Sequence, residues 1–401
     1  MWRPTPQGDA EVMPNPSRLQ PPAANDAPVP DETTLTGLTV DGTLPAALSG
    51  RFLRIGPNPI APTPTGAGED DGMVHAVDLR AGRAVRYCNR WVTTDRVARA
   101  LGTEPVPGPP AALADTVATN VLSFGGRTLA LGPGALAYEL DEHLATVRRV
   151  DLAGRGRGVG AHPVVEPVSG ELHLVSHGDE PAHHVLAPSG LTRSTHPVPH
   201  APGPLRDLLL TPDHLVLLGD GFAGVADRAR STAIRWCDAD LAGAVAAHDT
   251  GDGVVVLAAA GSLIRWTLAA GSARREVLDD TSQRFGVSHP RHGTTPRRLW
   301  TVAAEGGTEV HRHDIGNGNS ERTSHDHGVG RRPGAVVFVP DPARRHRDDG
   351  GWLVGFVHDD RRLETDLVVL DAADMGGAPV ATVRIPRRIP SGLHATWIPA
   401  P

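Results

Sequence analysis

Three short stretches carry the residues best suited to chemistry: "AHPVVEPVSGEL" (161–172) with His162, "LRDLLLT" (205–211) with Arg206 and Asp207, and "IPSGLHATW" (389–397) with His394. Imidazole titrates near neutrality and is the commonest protein metal ligand, so each histidine is a candidate for proton transfer or for coordination. A guanidinium donates hydrogen bonds, never accepts them and stays cationic, which suits it to an oxyanion and sets it against a metal dication. A carboxylate beside a histidine can fix its tautomer. With 20 histidines in the chain, residue type alone decides nothing, and "HDIGNGNSERTSHDHG" (313–328) reads as a solvated loop. Other chemistries are excluded more easily. Cys88 and Cys237 have no CxxC partner for a zinc site. There is no GxSxG elbow and no P-loop, and "GRGRGVG" (154–160) lies in a polar loop with no helix pattern after it.

The elements that would position these residues are strands. From about residue 36 the chain is a series of short apolar runs, such as "TLALGPG", "HLVLLGDG", "AVVFVPDP", "GWLVGFVHDD" and "DLVVLDAAD", each closed by Gly, Pro, Asp or Asn. Only "TTDRVARALG" and "DDTSQRFG" suggest helices. Many short strands with turns between them predict an all-β fold, and 401 residues favour a propeller of several four-stranded blades. Segments 154–160, 306–333 and 341–351 read as surface loops. "GRFLRIGPNPI" (50–60) is a structural corner at Asn58, and His75 is a packed or hydrogen-bonded histidine in a hairpin. Residues 1–35 read as a flexible N-terminal arm and 36–401 as a single domain.

Composition narrows the partners. All 39 basic residues are arginine and the formal net charge is -7, so nothing draws the chain to a phosphate backbone and no nucleic acid is expected. Two lone cysteines fit a reducing compartment, here taken as cytoplasmic. No segment has the pattern of a signal peptide, a spanning helix or a strongly amphipathic anchor, which leaves at most peripheral membrane contact.

The ordered pieces "GRFLRIGPNP", "DGMVHAVDLRAGRAVRYCNRWVTT", "TNVLSFGGRTLALGPGALAYELD", "AHPVVEPVSGELHLVS", "LRDLLLTPDHLVLL", "VVFVPDPARRHRDDGGWLVGFVHDD" and "DLVVLDAADMGGAPVATVRIPRRIPSGLHATWIP" resemble the carotenoid cleavage oxygenases. That family includes the retinoid isomerase of the visual cycle and the stilbene-cleaving enzymes. The resemblance runs from about residue 36 to the C-terminus. It implies a seven-bladed β-propeller under a dome of loops and short helices, with a tunnel for an apolar substrate. It also implies an axial ferrous ion held by four histidines, and three glutamates that keep some of those histidines oriented. Two of the four ligand positions match His162 and His394, while the other two fall on Arg206 and Gly243. The glutamate positions fall on Pro133, Arg284 and Ala335.

Two imidazoles beside a guanidinium hold Fe(II) poorly, so no cofactor is expected, with Fe(II), the family's cofactor, as the alternative. The resulting expectation is metal-independent acid/base isomerisation, cyclisation or rearrangement of an apolar polyene, terpenoid or polyketide-like molecule. His162 and His394 would transfer protons, Arg206 would clamp an oxyanion and Asp207 would orient a histidine. The alternatives are a non-catalytic binding protein for such a ligand, and an Fe(II) dioxygenase of carotenoids, apocarotenoids or stilbenes whose ligand set is rebuilt by His200 or His248. An aromatic content of 4% predicts a cavity lined mainly by aliphatic side chains.

Overall fold

The continuous apolar runs Gly72–Arg80 and Gly351–Asp359 are buried nearly end to end, the pattern of strands covered on both faces. The more polar strands Thr146–Val150 and Thr192–Pro197 are largely exposed. The first kind lies inside its sheet and the second forms an outer edge. Sheets standing radially around an axis produce this contrast, because neighbours cover both faces of each sheet and only the rim meets water.

The structure is a computed structural model that describes residues 25–60, 71–110, 115–228, 233–251, 253–269, 271–289, 297–304, 306–316 and 320–400. Its strands form a seven-bladed propeller. Blade 1 combines Thr33–Thr36, Gly50–Pro57, Gly72–Arg80 and Arg83–Trp91 with the C-terminal strand His394–Pro399. Blades 2, 3 and 4 are four-stranded sheets that open with Asn120–Phe124, Val164–Val165 and Leu205–Leu210. Blades 5 and 6 share one six-stranded sheet, in which the long strands Gly253–Ala269 and Ser272–Ser288 fold back on themselves. Gly261, with φ +78°, makes the first of these reversals, and residues 283–288 go on to pair with Arg298–Ala303 of blade 6. Blade 7 runs from Arg331–Pro340 through Gly351–Asp359 and Glu364–Asp371 to Ala381–Ile385, edged by Val40–Gly42.

The two chain ends close the ring. His394–Pro399 pairs with Gly50–Pro57 as the innermost strand of blade 1, and Val40–Gly42 pairs with Ala381–Ile385 on the rim of blade 7. The core lies between blades. Phe52 meets Phe356 edge to face at 4.9 Å between blades 1 and 7, and Trp300 stacks on Phe338 at 4.8 Å between blades 6 and 7.

Several local expectations are met. Asp95–Leu101 is a helix with Thr94 as N-cap and Gly102 in the left-handed conformation after it. His75 is buried and lies 3.0 Å from the Tyr87 hydroxyl through Nδ1. Asn58 is a buried corner residue whose side chain binds Val29 in both directions rather than its own backbone.

Others need correction. "DDTSQRFG" belongs to the strand Ser272–Ser288 and is not helical, because its residues pair across two blades. Most of "HDIGNGNSERTSHDHG" lies in the paired strands Glu309–Ile315 and Ser320–Asp326, where His311, His313 and His325 are buried. Of the expected flexible arm, residues 1–24 lie outside the described residues, and 25–35 are pinned rather than loose. The Asn89 side chain accepts from the Thr33 amide, Arg387 pairs with Asp31, and Arg388 donates to the Ala27 and Pro28 carbonyls.

Candidate functional site

The innermost strands of a propeller run side by side around the axis, so residues at their starts meet at one end of it. Asn120 and His394 are first residues of such strands, His162 lies two before Val164, Arg206 and Asp207 are second and third in Leu205–Leu210, and Gly243 immediately precedes Ala244. All of them line one axial cavity of about 580 Å³. The remainder of its wall is largely Leu, Val and Ala, with Phe285 and Trp397 as its aromatic members. This is the mainly aliphatic lining that composition predicts.

A skipped register position separates the roles of Arg206 and Asp207. Leu205 pairs with Gly219 and Asp207 with Leu218, so Arg206 is the extra residue of a bulge. Its guanidinium is engaged by the adjoining turn, with Nη2 donating to the Gly219 carbonyl at 3.1 Å and Nε 2.9 Å from Asp220. The group expected to clamp an oxyanion is thus paired with Asp220 in this structure.

Asp207 instead turns inward. Its Oδ1 accepts the His162 backbone amide at 2.9 Å, and its Oδ2 lies 3.0 Å from His162 Nδ1. Burial works to raise the Asp207 pKa, but the hydrogen bonds it accepts from His162 bring it below the usual carboxylate value. An ionised carboxylate at Nδ1 places the proton there and leaves the Nε2 lone pair of neutral His162 free. Nε2 has no hydrogen-bond partner among the described residues, and the side chain is 42% exposed, so it is open to a ligand.

The ring of His394 lies 5.6 Å from that of His162, tilted by 57°. Burial, then the neighbouring His162, pushes the His394 pKa down to about 3. His394 is thus a neutral imidazole throughout the physiological range. It can hydrogen-bond a ligand, and of the proton transfers expected of it the low pKa disfavours donation from an imidazolium.

Gly243 adopts φ +67°, and a Cβ built on it would stand 2.5 Å from the Ala259 carbonyl oxygen. No other residue fits there without moving the backbone. His200 is exposed in a separate cleft of about 1120 Å³, and His248 lies further along its strand outside the axial wall. Neither joins the axial set. Pro133 occupies an exposed turn and Ala335 is packed in the core between blades 1 and 7. Arg284 lines a neighbouring cavity.

Sequence reasoning missed Asn120. It is 3% exposed, its Nδ2 donates to the Ala161 carbonyl at 2.9 Å, and its Oδ1 is buried without a partner. Its place at the head of an inner strand, equivalent to that of His394, was the available signal.

Among the described residues, the wall of this cavity carries two imidazoles, those of His162 and His394, rather than four. Asp207 cannot readily complete a two-histidine, one-carboxylate set, since both its oxygens face His162 donors. Among the described residues, the one group of three close ligand-type side chains is Glu166, Glu171 and His173 in blade 3, away from the axial cavity. The axial donors among the described residues therefore do not match a four-histidine set.

The class defined here is a β-propeller with imidazoles at the head of its inner strands, and the comparisons supply its family. The RPE65 family, described as retinal pigment epithelial membrane protein, matches over residues 26–239 and 232–399. The carotenoid cleavage oxygenase of Mycobacterium tuberculosis is 32% identical across 93% of this chain and 96% of the relative. That alignment spans 487 positions, more than the 401 residues of this chain, so the relative carries insertions that this chain lacks. Lignostilbene dioxygenase of Pseudomonas brassicacearum shares the fold with a TM-score of 0.83 at 22% identity, over 94% of this chain and 98% of that one. Cobalt-substituted apocarotenoid oxygenase of Synechocystis does so with 0.82 at 20%, over the same shares. The chain belongs to the carotenoid cleavage oxygenase family.

Proposed function

We propose that this protein acts on an apolar polyene-type molecule by proton transfer without iron, isomerising or rearranging it rather than cleaving it with oxygen. The observation that carries this reading is the His162–Asp207 pair. Asp207 holds both the backbone and Nδ1 of His162, which turns Nε2 into a base at an aliphatic cavity. In the proposed step Nε2 takes a proton from an acidic allylic or enolisable C–H, Asp207 stabilises the imidazolium, and the same proton returns to another carbon of the conjugated system. Atoms and electrons balance within the ligand, so no oxidant is required. Neutral His394 and the free Asn120 Oδ1 would orient the polar end of the ligand. The substrate class rests on the wall of the cavity and on relatives named for carotenoids, apocarotenoids and lignostilbene.

The test is turnover of apocarotenoids and stilbenes under nitrogen with a chelator, followed by chromatography. Isomerised product is expected from the native protein. His162→Ala and Asp207→Asn are expected to lose activity by about a hundredfold or more. Arg206→Ala should stay close to native, because its guanidinium serves Asp220. Near-stoichiometric iron after purification with ferrous salt, together with oxygen-dependent cleavage, would show a dioxygenase and overturn the proposal.

A further inference from the structure

Beside the axial cavity, and sharing Phe285 with it, lies a second cavity of about 260 Å³ bounded by blades 1, 6 and 7. Its charged wall is formed mainly by arginine. Arg54, from blade 1, is 3% exposed, donates from Nη2 to the Pro390 carbonyl, and has a buried Nε with no partner. The guanidinium lies 5.4 Å from the Phe356 ring centroid, and no carboxylate among the described residues pairs with it. Gly392 makes room for it, since a Cβ there would stand 2.5 Å from Nε. Burial pulls the pKa of Arg54 down only to about 10, so it remains cationic at neutral pH.

Arg284 faces the same cavity from blade 6. Its guanidinium sits over Phe285 at 4.6 Å, and its buried Nε also lacks a hydrogen-bond partner. Arg332 lines the wall too but is held by Asp360 at 2.8 Å. His358 is 2% exposed, and burial lowers its pKa, which keeps it neutral. Among the described residues, the only carboxylate in the wall is that of exposed Asp26, whose charge acts on Arg388. Two guanidiniums thus face a partly closed space with no counter-charge paired to them among the described residues. Buried cations are ordinarily paired, because an unpaired one forfeits its hydration.

We propose that this cavity is a binding site for a small oxyanion, a carboxylate or a phosphate, held between Arg54 and Arg284. The planar donors of the two guanidiniums suit oxygen pairs on such a group, and neutral His358 and Thr365 can supply further hydrogen bonds at the wall. The site goes beyond the reading of the axial cavity and does not depend on it, since it uses neither His162 nor Asp207.

Inorganic phosphate and acetate are the probes, titrated separately by calorimetry against chloride at matched ionic strength. Saturable binding of either one supports the site, and the one that binds identifies the chemistry. In Arg284→Gln the affinity should fall by about tenfold or more, as expected on losing one charge-assisted contact. Arg361→Gln, at an exposed arginine outside the cavity, should bind as the native protein does. Arg54→Met should abolish binding, with circular dichroism checking its fold; if it does not fold, Arg284→Gln decides alone. Absence of saturable binding for both anions, or equal affinity in native protein and Arg284→Gln, overturns the proposal.

Discussion

At the scale of single residues, the axial site turns on what Gly243 and Asp207 permit. Restoring a histidine at position 243 looks like the direct way to rebuild a metal centre, but geometry opposes it. The backbone there is left-handed, which costs a non-glycine residue about 1–2 kcal/mol, and the new Cβ would meet the Ala259 carbonyl at 2.5 Å. Gly243→His is therefore expected to lower the melting temperature by several degrees without raising the iron content measured after ferrous loading. A variant as stable as the native protein with bound iron would mean that the loop before Ala244 can rearrange. The same residues show how much chemistry was legible in sequence. His162, Asp207 and His394 could be named from their surroundings in the chain, and the structure brings them to one end of the axis. The course of Arg206 could not be read, because a bulge is a mismatch between two strands and leaves little mark in either one. The neutral state of His394 was equally hidden, since burial of that side chain depends on the whole ring.

At the scale of elements, blade 7 shows how the ring is fastened. Asp366, fully buried, accepts from Arg331 on the innermost strand, Arg384 on the outer strand and Arg362 in the turn before it, at 2.7–2.8 Å. Arg384 also holds Asp41 on the N-terminal strand that closes the rim. One carboxylate oxygen thus stitches four segments of the closing blade. Removing one partner from such a cluster exposes the others to mutual repulsion, though these guanidiniums reach water and the cost is reduced accordingly. Asp366→Asn is expected to lose about 2–3 kcal/mol in urea unfolding, read as a lower midpoint at unchanged slope. A change below about 0.5 kcal/mol would reduce the cluster to surface decoration. Strand elements were legible wherever apolar runs met Gly or Asp turns, as in Gly351–Asp359. The blade 6 strands with His311, His313 and His325 were misread as loop because their inward residues are imidazoles, which no apolar alternation reveals. The shared sheet of blades 5 and 6 likewise depends on reversals within long strands, as at Gly261.

At the scale of the whole molecule, holding so many imidazoles away from water ties stability to pH. Burial pushes His183, His327 and His394 down to about 3 and His313 to about 4, against 6.5 for a free side chain. His183 also lies 3.0 Å from His173 and stacks on His196, so charging it would set like charges together. Each of these groups takes up its proton more readily in the unfolded chain. Between the unfolded value and the folded one, the unfolded state therefore binds more protons and stability rises with pH. The contribution is complete above about pH 6.5 and is lost as pH falls toward 4 and then 3. Each histidine adds at most about 1.4 kcal/mol per pH unit within its window, and four acting together make the dependence steep. Carboxylates held below their usual values, such as Asp207 and Asp359, lose their contributions below about pH 4 and so act in the same direction. The melting temperature measured from pH 8 to pH 4.5 should be nearly level down to about 6.5 and then fall progressively faster. His183→Gln should lower stability at pH 8 and flatten the acid limb, because it removes one group that must otherwise stay uncharged. A melting temperature unchanged between pH 6.5 and 5 would mean that these histidines reach solvent and take up protons without unfolding the blades, and the packing around buried His183 and His313 would have to be looser than the geometry indicates.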